Sequence, residues 1–373
     1  MSKRKPHILF LYSDTGGGHR AAAEAIIEAI ELEFPGQVIT EMVDVLTTFF
    51  PAPISMAPQI YPQLSKMPRV WEMGYKASDG KKRVEITYKL LRPILQRYLD
   101  DMILKNPVDL FVSVHQLINQ PVAKVVHEYG LKFATVVTDM VSTHAAWFAP
   151  EADLITVPTA QAYERGLEMN VLPSLMHITG QPVADKFCQP VGDKAQLRRD
   201  LGWNSDLPVV LLVGGGEGMG PLEDVAKALD EAELPMEMVI VAGRNKDLQA
   251  RLNRHHWKTR TKVYGFVTAM PDMMRAADVL VTKAGPGTIC EAFIAGLPLV
   301  LYSKMPGQED GNVTYVEAEQ AGVWAPTPEE VVATMKSWIN TPQNREVYAA
   351  NAARLANPAA SRNIARLLVK LAS

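Results

Sequence analysis

The chain has 373 residues, of which 47% are hydrophobic, and its 38 Lys and Arg residues nearly balance 41 Asp and Glu residues, for a formal net charge of −3. This composition is typical of a globular protein with about two domains, and it excludes a general nucleic-acid-binding protein, which would carry a strong basic excess. No apolar run in the sequence approaches the roughly 18 residues that a membrane-spanning helix needs, so an integral membrane protein is excluded as well.

The cysteines and the first residues bear on the cellular compartment. Cys188 and Cys290 fit no metal-binding or redox spacing. Residues 1–6 lead directly into the apolar run His7–Tyr12, without the apolar region and cleavage site of a signal peptide. We therefore expect a reduced, cytoplasmic chain that binds no nucleic acid.

Two segments of the chain share one plan, a short apolar run followed by a glycine cluster and a helical pattern. They are Ile8–Tyr12, Gly16-Gly17-Gly18 and Ala21–Leu32 in the first segment, and Val209–Val213, Gly214–Gly218 and Leu222–Leu229 in the second. Each is typical of the opening strand, loop and helix of a parallel α/β unit. We predict an N-terminal domain at 1–180, a C-terminal domain at 181–342, and C-terminal helices at 343–373 that could cross back to the first domain.

Further apolar runs, mostly separated by helical patterns, predict parallel sheets with helices on both faces. The predicted strands are Val38–Val45, Leu110–Val114, Phe133–Thr138, Leu154–Val157, Met238–Ala242, Lys262–Tyr264, Val279–Thr282 and Leu299–Tyr302. Glycine and prolines in Thr179–Pro190 indicate a linker, and Val347–Leu371 has a helical pattern.

The segment Phe49–Asn106 departs from this alternation. It is rich in proline, and between Ser65 and Lys105 it has ten Lys and Arg residues against five Asp and Glu residues. Val84–Ile103 predicts an amphipathic helix with Pro93 as a kink and one apolar face, formed by Leu91, Leu95, Tyr98 and Met102. The segment is either a helical layer on the sheet or a basic, apolar surface that meets an anionic bilayer.

The first glycine loop ends at His19. Glycines between a strand and a helix let a ligand approach the backbone and the positive end of the helix. A histidine there either caps the helix or acts as a general base, because its ordinary pKa lies near neutrality.

A second cluster, Lys283–Glu291, follows the predicted strand Val279–Thr282. Backbone N–H groups at Gly285, Gly287 and Thr288 would begin a helix and could bind a diphosphate, with Lys283 adding positive charge. The Glu291 carboxylate, about one turn into the helix, could accept hydrogen bonds from the two hydroxyls of a ribose.

A polar loop, Pro306–Asn312, follows the next predicted strand, and its amide and carboxylate groups suit sugar hydroxyls, which both donate and accept. The sequence contains no Asp-x-Asp pair of the kind that commonly holds a divalent ion in nucleotide-sugar enzymes. We therefore expect no metal and no cofactor, with helix ends and Lys283 meeting the charge of the leaving group.

These motifs resemble those of the monogalactosyldiacylglycerol synthases and the related bacterial diacylglycerol glucosyltransferases, in the same broad family as the glycosyltransferase that forms lipid II. The resemblance covers nearly the whole chain and is strongest at Ser13–Arg20, Ser113-Val114-His115, Thr138-Asp139 with His144 and Trp147-Phe148, Lys283–Thr288, and Pro306–Asn312. It implies a GT-B fold, two Rossmann-like domains with parallel sheets facing across a cleft, with a UDP-sugar donor and inversion at the anomeric carbon.

The resemblance also implies roles for residues. His19 would deprotonate the acceptor hydroxyl. The C-terminal domain would bind the donor, with uracil at Gly265-Phe266-Val267, phosphates at Gly215 and Gly216, the ribose at Glu291, and the hexose at Gln308, Glu309 and Asn312. The acceptor or lipid side would comprise Gly17, Gly18, Asp139, His144, Trp147 and Pro53, of which Pro53 lies in a loop resembling one linked to activation by anionic lipid.

We therefore expect an inverting glycosyltransferase that moves galactose or glucose from its UDP-sugar to the free hydroxyl of 1,2-diacylglycerol, making a β-monoglycosyldiacylglycerol. Its partners would be UDP-galactose or UDP-glucose, diacylglycerol and anionic membrane lipids, with the protein peripherally attached to the membrane. The acceptor-side stretch differs from the plant enzymes, so both sugars stay open.

Two alternatives remain at this stage. One keeps the donor and replaces diacylglycerol by a polyprenyl-linked acceptor. The other is a nicotinamide-dependent oxidoreductase, since Gly16-x-Gly18-x-x-Ala21 matches the dinucleotide fingerprint and Glu41 or Asp44 lies near the distance expected of a ribose-binding acid. The oxidoreductase leaves the motifs between Lys283 and Asn312 unexplained.

Overall fold

A computed structural model describes residues 4–15, 17–64, 67–190, 192–204, 206–218 and 220–373. They form two compact units. The first contains the described residues up to Asp185 together with 305–308 and 359–373, and the second contains those of 186–304 and 309–358.

The elements alternate between strands and helices over most of the chain. The strands are β1 His7–Tyr12, β2 Ile39–Asp44, β3 Leu110–Ser113, β4 Lys132–Val136, β5 Leu154–Val157, β6 Met176–Ile178, β7 Val209–Val213, β8 Glu237–Val241, β9 Arg260–Tyr264, β10 Val279–Lys283, β11 Leu299–Ser303 and β12 Gly322–Trp324.

The helices fill the intervals between the strands. They are α1 Gly18–Glu33, α2 Val45–Phe49, α3 Ala57–Leu64, α4 Pro68–Ser78, α5 Lys81–Lys105, α6 Asn119–Glu128, α7 Ala160–Glu168, α8 Asp185–Cys188, α9 Lys194–Asp200, α10 Leu222–Glu231, α11 Lys246–Arg254, α12 Met270–Ala276, α13 Pro286–Ile294, α14 Asp310–Ala318, α15 Pro328–Asn340, α16 Pro342–Arg354 and α17 Ala360–Ala372. Short 3-10 turns occur at Ile54–Met56, Gln116–Ile118, Ala145–Trp147 and Pro173–Leu175.

The sheet of the first unit has six parallel strands in the order β2-β1-β3-β4-β5-β6. Strand β2 is added on one side of β1, and β3 to β6 are added on the other, so the strand order reverses between β1 and β3. In parallel sheets ligands bind at the carboxyl ends of the strands at such a reversal. Strand β1 is covered on both faces: Ile8 and Phe10 contact one core cluster, and Leu9 and Leu11 contact another. The predicted parallel sheet with helices on both faces is confirmed.

Between β2 and β3 the first unit has helices α2 to α5 where a doubly wound unit has a single crossover helix. Helix α5 buries Leu95, Leu99, Met102 and Ile103. The predicted apolar face is therefore displaced: Leu95 and Met102 are buried as expected, whereas Leu91 is exposed. The helix continues through Pro93.

The sheet of the second unit also has six parallel strands, in the order β12-β11-β10-β7-β8-β9. From the other end this is the doubly wound order 3-2-1-4-5-6, with the reversal between β7 and β10. The glycine loops after β7 and the Lys283 cluster after β10 therefore start from neighbouring strands.

Three local features differ from the sequence-based expectation. Strands β6 and β12 were not predicted, because each is only three residues long, which is too short for a recognisable pattern. The helical pattern Val347–Leu371 is divided between α16 and α17, since Pro358 interrupts it. Helix α17 packs against α1, and its Ile364 and Leu368 are fully buried in the core of the first unit.

No helix formed by the described residues combines the length and the apolar character needed to cross a bilayer.

Candidate functional site

The first candidate site begins where β1 ends. Gly17 caps α1 with a φ of 75°, in the left-handed region that glycine adopts most easily, and Gly18 starts the helix. The Arg20 guanidinium donates to both carboxylate oxygens of Asp14 at 2.9 and 2.8 Å and so fixes the loop. Gly16 lies outside the described residues.

The loop brings His19 to the carboxyl end of β3. Its Nδ1 lies 2.8 Å from the carbonyl oxygen of Val114 and 3.1 Å from Oγ1 of Thr138. A carbonyl oxygen only accepts, so Nδ1 must carry the ring proton and donate it. The neutral ring therefore has its lone pair on Nε2, which is the nitrogen that can take up a proton.

The environment also determines the charge of His19. Loss of hydration around the half-buried ring lowers the pKa of His19 to about 4, although the hydrogen bond to Val114 opposes this effect. The ring is consequently neutral throughout the physiological range, which is the state a general base needs.

A second histidine packs against the first. The ring of His115 meets that of His19 edge to face with centroids 4.5 Å apart, and its Nε2 lies 2.8 Å from Oγ1 of Thr15. Burial, and then the neighbouring His19, hold the pKa of His115 well below its usual value. His115 Nδ1 is buried and has no hydrogen-bond partner among the described residues.

Asp139 and Trp147 complete the surroundings of His19. Trp147 is fully buried with its ring centroid 6.1 Å from that of His19, and its Nε1 donates to Oδ2 of Asp139 at 2.7 Å. Oδ1 of Asp139 accepts a hydrogen bond of 3.0 Å from Gln308, in the segment 305–308 of the first unit. Gln308, assigned from the sequence to the donor hexose, therefore contacts a residue of the expected acceptor side.

His144 points into a different polar network. Its Nδ1 accepts from the N–H of Ala146 at 3.1 Å, and its Nε2 lies 3.2 Å from Oγ of Ser78. Asp79 accepts from the N–H of Ala145 and forms two hydrogen bonds with Arg165 at 3.0 and 2.9 Å. These contacts fix the acceptor-side stretch to the junction of α4 and α5.

Asp79 and Arg165 were not predicted from the sequence. They lie 86 positions apart and belong to no local motif, so only the fold brings them together. Pro53 is exposed at the start of the 3-10 turn Ile54–Met56.

The second candidate site begins at the glycine loop after β7. A Cβ at Gly218 or Gly243 would come within 2.3 or 2.4 Å of a backbone oxygen, and both glycines have positive φ. The backbone N–H of Arg244 donates to the carbonyl oxygen of Gly216 at 2.8 Å. Two loops, after β7 and after β8, thus pack backbone to backbone, and larger residues would separate them.

Lys283, at the end of β10, lies against this loop. A Cβ at Gly215 would come 3.2 Å from Cε of Lys283, so the glycine makes room for the lysine. Nζ of Lys283 lies 2.9 Å from Oε1 of the buried Glu309. Asn312 is buried too, and its amide donates to the carbonyl oxygen of Ala284 at 2.9 Å, so it supports the turn that follows Lys283.

Helix α13 begins at this turn. Gly285 is its N-cap without any side-chain hydrogen bond, and Pro286 occupies the first position. A Cβ at Gly287 would have no atom within 4 Å, so the space beside the first turn of the helix is open at this position. Such a helix end favours an anion.

Glu291 lies further along α13 and is half-buried. Loss of hydration raises the pKa of Glu291 to about 7, although Lys186 opposes the effect. Near neutrality the carboxyl group is therefore divided between its protonated and ionised forms.

The loop after β9 contains Gly265, Phe266 and Val267. Phe266 is exposed, and the guanidinium of Arg244 lies over its ring at 4.5 Å from the centroid. Arg244 was not predicted as a site residue, although it follows the predicted strand Met238–Ala242 after a single glycine. Its position after a central strand was the available signal.

In the part of the chain that the structure describes, no three His, Cys, Asp or Glu side chains are grouped so that they could hold a metal ion.

The chain is similar in sequence to proteins of known families. Residues 19–183 match the family described as monogalactosyldiacylglycerol (MGDG) synthase, and residues 209–364 match the glycosyltransferase family 28 C-terminal domain. Monogalactosyldiacylglycerol synthase 1, chloroplastic, from Arabidopsis thaliana is 37% identical over 369 residues, covering 96% of this chain and 69% of the relative.

Solved structures share the fold. MurG of Acinetobacter baumannii has a TM-score of 0.62 at 16% identity, with 98% of this chain and 99% of MurG covered. UDP-GlcNAc 2-epimerase of Neisseria meningitidis, solved bound to UDP-GlcNAc, has a TM-score of 0.62 at 12% identity, with coverage of 98% and 100%. The predicted GT-B type of α/β fold is confirmed.

The charge and tautomer of His19 can be measured directly. Because burial lowers its pKa to about 4, the ring should stay neutral and protonated on Nδ1 as the pH falls from about 8 to about 5.5. Nitrogen-15 NMR of labelled histidine reports both properties, and the spectrum of His19→Ala assigns the signal by its loss. A titration midpoint near 6.5, or a proton on Nε2, would contradict this assignment.

Proposed function

Since the chain belongs to the monogalactosyldiacylglycerol synthase family, we propose that it transfers galactose or glucose from a UDP-sugar to the free hydroxyl of 1,2-diacylglycerol. The observation that carries the proposal is His19, a neutral histidine whose Nδ1 is held by the Val114 carbonyl so that Nε2 is left as the base. The printed name of the plant relative supports the lipid product, and the UDP-GlcNAc in the epimerase structure supports a UDP-linked donor.

In the proposed reaction, Nε2 of His19 takes the proton from the acceptor hydroxyl as its oxygen forms a bond with the anomeric carbon. The bond from that carbon to the UDP oxygen breaks on the opposite face, and its electrons leave with UDP. The configuration inverts, which gives a β-glycoside. The hydrogen bond from Nδ1 to Val114 orients the ring and stabilises the positive charge that it gains.

The donor would bind at the carboxyl edge of the second sheet. The diphosphate would accept from the N–H groups of Gly287 and Thr288 at the start of α13, close to Lys283. Glu291 would accept from the ribose hydroxyls, the loop 265–267 would contact uracil, and Glu309 would face the hexose. Asn312 would act by holding the turn after Lys283 in place.

The protein would attach to the bilayer through helix α5 of the first unit. Ile86, Leu90 and Ile94 form an exposed stripe along this helix, and Leu90 is 72% exposed. Arg83 and Arg97 continue the stripe at its two ends, and both are exposed. An apolar stripe flanked by arginines is typical of helices that lie in the interface of an anionic membrane.

The transfer reaction is tested with purified protein, diacylglycerol vesicles and UDP-galactose or UDP-glucose, with polyprenyl-linked acceptors in parallel. We expect a monoglycosyldiacylglycerol from at least one donor. Replacing His19 by Ala should lower kcat by about 10²–10⁴-fold, because the general base is lost, while the Kd for UDP stays within about twofold.

The matched control is His177→Ala, which removes an exposed histidine from the same unit and should keep full activity. If neither donor gives a glycolipid, the proposed reaction is ruled out. If the His19 variant keeps near-full turnover, His19 is not the base.

The role of Glu291 predicts how binding depends on pH. Ribose hydroxyls donate to the ionised carboxylate, so binding lowers the raised pKa of Glu291, and affinity should rise as the pH rises through about 7. Uridine is the suitable ligand because it carries no phosphate that titrates in this range.

The Kd for uridine, measured by NMR titration, should fall by up to about tenfold between pH 6 and pH 8. Glu291→Gln should bind weakly and without this pH dependence. If the native protein binds uridine equally at both pH values, Glu291 is not the ribose ligand.

Membrane attachment is tested by cosedimentation with vesicles. Binding should increase with anionic lipid and decrease with salt, because salt screens the attraction between the basic face and the bilayer. Leu90→Glu should weaken it by about tenfold or more, through lost apolar insertion and added negative charge. Leu172→Glu changes another exposed leucine elsewhere in the first unit and should have little effect. Equal losses in the two variants would argue against α5.

A further inference from the structure

Arg244 lies between the two loops assigned to uracil and phosphate. It follows β8, which pairs with β7 on one side and β9 on the other. Its backbone N–H donates to Gly216 in the loop after β7, and its side chain covers Phe266 in the loop after β9. The backbone and the side chain of Arg244 therefore each contact a loop of the proposed donor site, although Arg244 itself has so far been given no role there.

The guanidinium lies directly beside the glycine loop. A Cβ at Gly216 would come 3.2 Å from Nη1 of Arg244, and a Cβ at the preceding Gly215 would come 3.2 Å from Cε of Lys283. Two consecutive residues without side chains are thus flanked by two cations. A ligand that approaches this backbone therefore comes close to both Lys283 and Arg244.

The two cations belong to ion pairs that differ in their exposure to solvent. Lys283 is paired with Glu309, which is only 6% exposed, so that charge is compensated within a largely buried pair. Arg244 is paired at 2.9 Å with Glu217, and the two side chains are 55% and 45% exposed. An exposed ion pair contributes little to stability, so a phosphate can replace Glu217 at small cost.

The geometry of Arg244 also suits a phosphate. A planar guanidinium presents paired N–H groups that match two phosphate oxygens, while stacking on an aromatic ring holds its plane. Phe266 provides that ring in this structure.

We propose that Arg244 binds the diphosphate of the UDP-sugar, with Phe266 holding its guanidinium and with Glu217 as the partner that the phosphate displaces. This inference rests on the proposed function. Arg244 would supply a positive charge that stabilises the leaving diphosphate, in addition to the Lys283–Glu309 pair. When no donor is bound, the guanidinium is paired with Glu217.

The test compares ligands with and without phosphate by isothermal titration calorimetry. Arg244→Ala should weaken UDP by about 10- to 30-fold, the typical effect of losing a charge-assisted hydrogen bond, and should change uridine by less than about twofold. Arg244→Lys should fall between, because it keeps the charge without the planar fork. Arg251→Ala is the matched control, an exposed arginine of the same unit paired with Glu223, and should bind both ligands normally.

A second variant changes the affinity in the opposite direction. Glu217→Gln removes the competing carboxylate and should strengthen UDP binding by up to about fivefold, with uridine unchanged. Arg244 is exposed, so the Tm of Arg244→Ala should equal that of the native protein. Differential scanning calorimetry measures this and shows that the variant is folded.

Four results would overturn the proposal. Normal UDP binding by Arg244→Ala would show that Arg244 is not a phosphate ligand, and an equal loss of UDP and uridine would place it at the base instead. Weaker UDP binding by Glu217→Gln would show that Glu217 does not compete for the guanidinium. If the native protein binds no UDP, the proposed donor fails as well, whereas the first three results leave the donor proposal intact.

Discussion

Both candidate sites depend on the parallel pairing of the strands. In each unit all six strands run in the same direction, so every strand ends at the same edge of its sheet. Where the order of strands reverses, two loops leave in opposite directions and a space remains between them. His19 occupies the reversal between β1 and β3, and Lys283 the reversal between β7 and β10. The residues with chemical roles come from separate parts of the chain because this constraint gathers them.

The two sites treat charge in a similar way. Burial keeps the proposed base His19 neutral and divides Glu291 between its protonated and ionised forms, and Glu309 compensates the charge of Lys283. Without ligands, His19 is therefore neutral, Glu291 is ionised in part, and the charge of Lys283 is compensated. Arg244 differs, since its partner is exposed and easily exchanged. Its charge would become available to the donor when UDP displaces Glu217.

Local patterns were enough to predict the described strands except β6 and β12, and to place His19 at the end of the first glycine loop, because each depends on neighbouring residues in the sequence. The hydrogen bond that sets the tautomer of His19 joins residues 95 positions apart, and no local pattern encodes it. The same holds for Asp79 and Arg165. The apolar face of α5 was misplaced in part because the helix has apolar residues on two sides, one packed on the core and one exposed. Periodicity alone does not tell these sides apart.

Helix α17 has a consequence for how the chain folds during synthesis. Its Ile364 and Leu368 fill the core between α1 and the first sheet, yet they follow every residue of the second unit in the chain. The chain emerges from the ribosome with its N-terminus first, so the second unit can fold while the first still lacks part of its core. The unit that contains the proposed base is thus the last to become complete, and until then its sheet has an apolar surface open to chaperones.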